Sequence, residues 1–187
     1  MRMLLGKTKN IAMLGIMAAL STVLAVLGTV ISINTVFFTA VAAFFVGIAV
    51  VKYGSASGIL FFFVCSMLDF FVNPNKLHVL LYVVFAGYLL VAEISFRGLK
   101  KWKGKKKETI HRGIRLMVFI FLYVPAVIFL PELFIAGTVL EKWMSAGWFM
   151  PVLVLIGIPL WFLYDLAYFT GKKELLKIFR VAKSSNR

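Results

Sequence analysis

Acidic side chains are scarce in this chain. Seven Asp and Glu stand against 21 Lys and Arg, and only two His are present. Enzyme signatures are missing with them: there is no His/Glu metal pair at helical spacing, no GxSxG, no phosphate-binding glycine loop and no CxxC. One cysteine, Cys65, lies in an apolar run. A lone cysteine closes no intrachain disulfide and supplies no thiolate cluster, so it reads as a small core or lipid-facing residue. Polar surface is the largest deficit. With 62% hydrophobic residues, 16% aromatics and a mean hydropathy of +0.98, a soluble domain of 187 residues could not cover itself. The expectation is no catalysis, no cofactor, no metal site and an excess of apolar surface that faces lipid.

Apolar runs fill most of the chain. A helix needs about 20 apolar residues to cross roughly 30 Å of hydrocarbon. Six candidates lie near residues 11–32, 35–52, 56–73, 77–97, 114–136 and 147–169. The fold class this predicts is all-α: a polytopic integral membrane protein, one six-transmembrane-helix bundle over 1–187, with both termini cytoplasmic. The short hinge Lys52–Ser57 also allows the second and third runs to form a re-entrant hairpin. The first run is long, has no clear small-residue cleavage site and is followed by five others, so a removed signal peptide is not expected.

The net charge of +14 could indicate nucleic acid, but its distribution does not. Basic residues gather in 1–10, 52–55, a central loop at 98–113 and a tail at 170–187. In the orientation with both ends inside, only Lys76 and Lys142 of the 21 face outward, as the positive-inside bias requires. The basic loop is a topology determinant or a contact for anionic lipid. The tail is amphipathic at Leu175, Ile178, Phe179 and Ala182 and either lies on the inner surface or continues the last span. Membrane lipids are therefore expected partners, and nucleic acid is not.

Ionisable groups inside a membrane usually face protein or a water-filled cavity. Three carboxylates qualify: Asp69, Glu93 and Asp165. Glu93 has Arg97 one turn on and is expected to pair with it. Asp165 has Lys172 and Lys173 nearby, a structural role. Asp69 differs, because its neighbours Lys76 and His78 lie across the turn Asn73–Pro74–Asn75. Pro74 biases Asn73 out of the helical region, and Asn73 or Asn75 can cap the next helix. Asp69, Lys76 and His78 remain as a polar cluster at the outer mouth. Asn34, Thr35, Glu132, Glu141 and Lys142 can complete a pocket there, with Tyr123, Trp143 and Trp148 as stacking faces. The alternative for all of them is local structure. In the first span Gly15, Ala18, Ala19, Thr22, Ala25 and Thr29 form a small-residue stripe, which serves either internal packing or a partner helix.

Asn10–Ala25, with its alanine-rich face, is similar to the opening of the substrate-binding S components of energy-coupling-factor vitamin transporters. The stretch Phe45–Gly58 resembles that family's short glycine-containing link between spans 2 and 3. The chain's length, its six spans and its inside termini resemble the family too. The resemblance implies a protein that binds a small nutrient at its outer face and hydrolyses nothing. Its partners would be a small-molecule substrate, a coupling transmembrane subunit and two ATPase subunits on separate chains. The implied site is Asn34, Asp69, Asn73, Lys76, His78, Tyr123, Glu132, Trp143 and Trp148. The implied docking face is Gly15, Ala18, Ala19, Thr22 and Ala25. The competing expectation is a non-transport membrane scaffold or assembly factor with no small-molecule ligand.

Overall fold

A computed structural model describes residues 2–31, 35–99, 104–130 and 148–184. Its helices are α1 (Arg2–Val30), α2 (Thr35–Tyr53), α3 (Ser55–Val72), α4 (Lys76–Gly98), α5 (Gly104–Phe129) and α6 (Phe149–Ser184). Each contains a segment long and apolar enough to cross a membrane, the shortest being Ser55–Val72 with 18 residues. No strand occurs among the described residues. The protein is therefore a multi-pass, all-helical membrane protein. Contacts group it into two compact units, Met1–Trp143 and Met144–Arg187.

In the first unit α2 is central and packs on α1, α3 and α4, while α4 also carries α5. Small residues make this possible. Ala42, Ala43, Val46, Ala49 and Val50 of α2 are wholly buried, and short side chains let helices approach closely without a hydrophobic drive from lipid. A methyl group added at Gly58 would stand 2.2 Å from Val50 Cγ2 and 3.0 Å from its Cα, so α3 meets α2 there almost backbone to backbone. The opposite faces carry exposed Ile16, Leu20, Phe63, Phe71, Met117 and Phe121, a surface suited to lipid rather than water.

The hinge between α2 and α3 is a single residue, Gly54, at φ 104°. A residue with a Cβ would be strained in that conformation, and glycine is not. Two separate helices result, each long and apolar enough to cross a membrane. Two other boundaries differ from those expected. α5 starts at Gly104, so most of the basic loop expected over 98–113 is helix. The reason is packing on α4. His111, 4% exposed, donates from Nε2 to the Ala92 carbonyl at 2.8 Å, and Lys107 Nζ lies 3.9 Å from the centroid of Phe96. α6 continues unbroken through the expected tail to Ser184. Its 36 residues span about 54 Å, well beyond the hydrocarbon thickness.

The helices α1 to α5 alternate between two ends. One end gathers the α2–α3 hinge, the end of α4 and the start of α5, with Arg97 donating to the Val51 carbonyl at 2.7 Å. That bond caps α2, and so Arg97 serves a helix terminus rather than the expected pairing with Glu93. The other end gathers the end of α1, the start of α2 and the α3–α4 turn, where Thr35 Oγ1 donates to the Gly28 carbonyl at 2.7 Å.

Candidate functional site

The α3–α4 turn positions the site. Pro74 keeps Asn73 out of the helical region, and Asn73 sits at φ −74°, ψ 124°, its N–H bonded to the Asp69 carbonyl. Asn75 then caps α4, its side-chain oxygen accepting from Leu77 N at 3.0 Å. The two asparagines thus divide the work: one ends α3 and the other starts α4.

Along α3 the buried positions are Gly58, Phe61, Cys65 and Asp69, a face repeating every three to four residues, and Asn73 continues it. Asn73, 1% exposed, donates from Nδ2 to Asp69 Oδ1 at 3.2 Å. Its own Oδ1 accepts from Thr29 Oγ1 at 2.9 Å and from Asn75 N at 3.1 Å. One amide therefore ties the end of α1 to the turn and holds one oxygen of a buried carboxylate. Deeper in, Ser21 Oγ donates to the Ala42 carbonyl at 2.9 Å and lies 3.3 Å from Tyr82 OH. The Cys65 thiol lies beside Tyr82 and Ser21, and Asp69 is close enough for its charge to act on Cys65 and Tyr82.

Asp69 itself is 1% exposed, and its Oδ2 has no hydrogen-bond partner. Lys76 does not bond to this carboxylate. Lys76 is exposed, and its Nζ donates to the Phe70 carbonyl and, at 3.0 Å, to the Asn73 carbonyl, while lying 4.9 Å from the centroid of the Phe70 ring. A cation at a helix C-terminus meets the unpaired carbonyls there, and this outcompetes a carboxylate on the buried face. His78 is half-buried with Nδ1 unpartnered. Thr22 Oγ1 and Ser66 Oγ are also buried without partners.

The structure therefore brings Asp69 and Asn73 together, with Lys76 above them. It does not bring Tyr123 to this turn. That ring is 7% exposed and stacks on Phe119 at 4.8 Å and 15°, and Phe119 in turn meets Tyr88 edge-on. Tyr123 packs α5 against α4. Trp148 is 56% exposed in the second unit. Asn34, Glu132, Glu141, Lys142 and Trp143 lie outside the described residues. The small-residue stripe divides: Ala18, Thr22 and Ala25 are buried, whereas Gly15 and Ala19 are exposed.

Ser21, Cys65 and Tyr82 were not foreseen as part of a polar core. The available signal was spacing. Cys65 precedes Asp69 by one helical turn and Tyr82 follows His78 by one turn, so each polar pair shares a helix face. No family model, no curated protein and no solved structure matches this chain.

Proposed function

We propose that the protein is a substrate-binding membrane subunit of a nutrient-uptake transporter, of the S-component kind, in a bacterial cytoplasmic membrane. In this reading a small molecule binds at the end holding the α3–α4 turn. The subunit then docks on a coupling transmembrane protein served by two ATPase subunits. The observation that carries the reading is Asp69: a carboxylate 1% exposed, between apolar helices, with one oxygen lacking any donor. Such a group costs a few kcal/mol in a membrane, and local packing gives it no return through that oxygen. A ligand donor would.

Charge supports the orientation. Lys76 is the one Lys or Arg among the described residues at the α3–α4 end, while Lys52, Arg97, Lys106 and Lys107 gather at the other. By the positive-inside bias the α3–α4 end faces outward. Docking would use the exposed Gly15 and Ala19, one turn apart on α1, because Ala18, Thr22 and Ala25 point into the protein's own packing.

A second reading is a ligand-free scaffold. It is favoured by Asn73 and Lys76, whose hydrogen bonds all serve the backbone, Thr29 and Asp69. Gentle purification of the full chain from its native membrane, followed by native mass spectrometry, separates the two. The transport reading expects a retained small molecule and a co-purifying membrane protein with ATPases. Apoprotein alone under all growth conditions overturns it, as does labelling of Lys106 and Lys107 by an impermeant reagent from outside the cell.

A further inference from the structure

Of the buried atoms that lack partners besides Asp69 Oδ2 (Thr22 Oγ1, Ser66 Oγ, His78 Nδ1 and Arg115 Nε), His78 Nδ1 is the one that the helix register relates to the carboxylate. Cys65 on α3 meets Tyr82 on α4. One turn further along α3 is Asp69, and one turn back along the antiparallel α4 is His78. Asp69 and His78 therefore occupy the same level of facing helices. Asp69 Oδ2 and His78 Nδ1 are both buried, and neither has a hydrogen-bond partner.

The chemistry these atoms request is one-sided. An ionised carboxylate only accepts hydrogen bonds, and a neutral imidazole protonated on Nε2 accepts at Nδ1. The groups beside Asp69 are neutral, namely Cys65, Asn73 and Tyr82, and so are Ser21 and Thr29 that bond to them. The nearby cation, Lys76, is turned to the carbonyls of Phe70 and Asn73. What is missing is a positive charge that carries N–H donors.

Resting on the binding role proposed above, we infer that the ligand is a small organic molecule with a protonated amine or amidine, whose N–H groups donate to Asp69 Oδ2 and His78 Nδ1. A charge-assisted hydrogen bond to the carboxylate in this apolar setting supplies the main attraction. The imidazole selects for a group with at least two donors over a simple point charge.

Full-length wild type, Asp69→Asn and His78→Ala in lipid nanodiscs give the test. Asparagine keeps the shape of Asp69 and an acceptor for Asn73, so this variant is expected to remain folded and monodisperse. Any molecule retained by the wild type is extracted and its elemental composition measured. In parallel, thermal unfolding is followed in methylammonium, aminoguanidine, choline and sodium chlorides at one ionic strength. The expected result is a retained molecule with a basic nitrogen, absent from Asp69→Asn. Methylammonium and aminoguanidine should raise the wild-type midpoint with the logarithm of their concentration. Choline, which has no N–H, and sodium should not. The shift should vanish in Asp69→Asn and shrink in His78→Ala.

Equal stabilisation by sodium would overturn the inference in favour of an inorganic cation. A retained nutrient without a cationic nitrogen would overturn it while leaving the transport reading intact. No retained molecule together with no response to either amine would sink both.

Discussion

The two ends of the first unit bury charge in opposite ways. At the α2–α3 hinge end, Glu93, His111 and Arg115 are at most 8% exposed and each is engaged with other groups, although the Nε atom of Arg115 has no hydrogen-bond partner. The cations around them work locally, Arg97 on the Val51 carbonyl and Lys107 on the Phe96 ring. At the α3–α4 end a single carboxylate is buried to 1%, and half of its acceptor capacity is unused. The same element, a charged side chain inside apolar helices, is thus a fastening at one end and an open valence at the other. Burial alone does not mark a functional residue; a buried carboxylate with one whole oxygen left without a donor is a candidate for one.

The largest expected effect tests the fastening. Glu93→Leu removes a buried, engaged carboxylate and leaves its partners unpaired. A loss of about 3 kcal/mol is expected, read as a lower thermal midpoint and a reduced monodisperse fraction in detergent. A variant as stable as the wild type would erase the contrast between the ends. Next comes Asn73→Ala, at about 2 kcal/mol. It cuts the bonds to Thr29 Oγ1 and Asn75 N and strips Asp69 of its neutral donor. This loss belongs to the α3–α4 end and is structural, so it should appear in unfolding whether or not a ligand is present. Gly58→Ala is a control on packing without charge. The added methyl meets Val50 Cγ2 and its Cα, and about 1–2 kcal/mol of overpacking is expected. Asn75→Ala, which removes the cap on α4, should cost about 1 kcal/mol by the same measurement.

Much of this is legible in the sequence. The apolar runs gave the six helices, because a membrane leaves the backbone few other ways to satisfy its hydrogen bonds. Pro74 and its flanking asparagines gave the end of α3 and the start of α4. The start of α5 was not legible. A basic run reads as solvated loop, whereas in the structure its Lys107 ammonium and His111 imidazole rest on α4 at Phe96 and Ala92. Depth along its helix singles out Asp69, but sequence alone leaves open what Lys76 bonds to, because only in three dimensions does the helix end offer it two carbonyls. The polar core of Ser21, Cys65 and Tyr82 spans three helices, and periodicity on one helix cannot announce contacts with another.

The smallest expected change in stability decides what the α3–α4 end is for. Asp69→Asn replaces a buried charge by a neutral amide of the same shape. Its oxygen still accepts from Asn73 Nδ2, and no ion pair is broken, because Lys76 bonds to backbone carbonyls instead. Relieving a buried charge that Asn73 and the more distant Lys76 only partly compensate offsets any loss of hydrogen-bond strength, so the ligand-free protein should change by less than about 1 kcal/mol and gain rather than lose. The same substitution at a fastening would be destabilising, as Glu93→Gln is expected to be. Measured side by side in one detergent, Glu93→Gln should lower the midpoint and Asp69→Asn should hold or raise it. If Asp69→Asn fell as far as Glu93→Gln, the carboxylate would be structural glue like its counterpart, and the end we read as a binding mouth would be a second fastening.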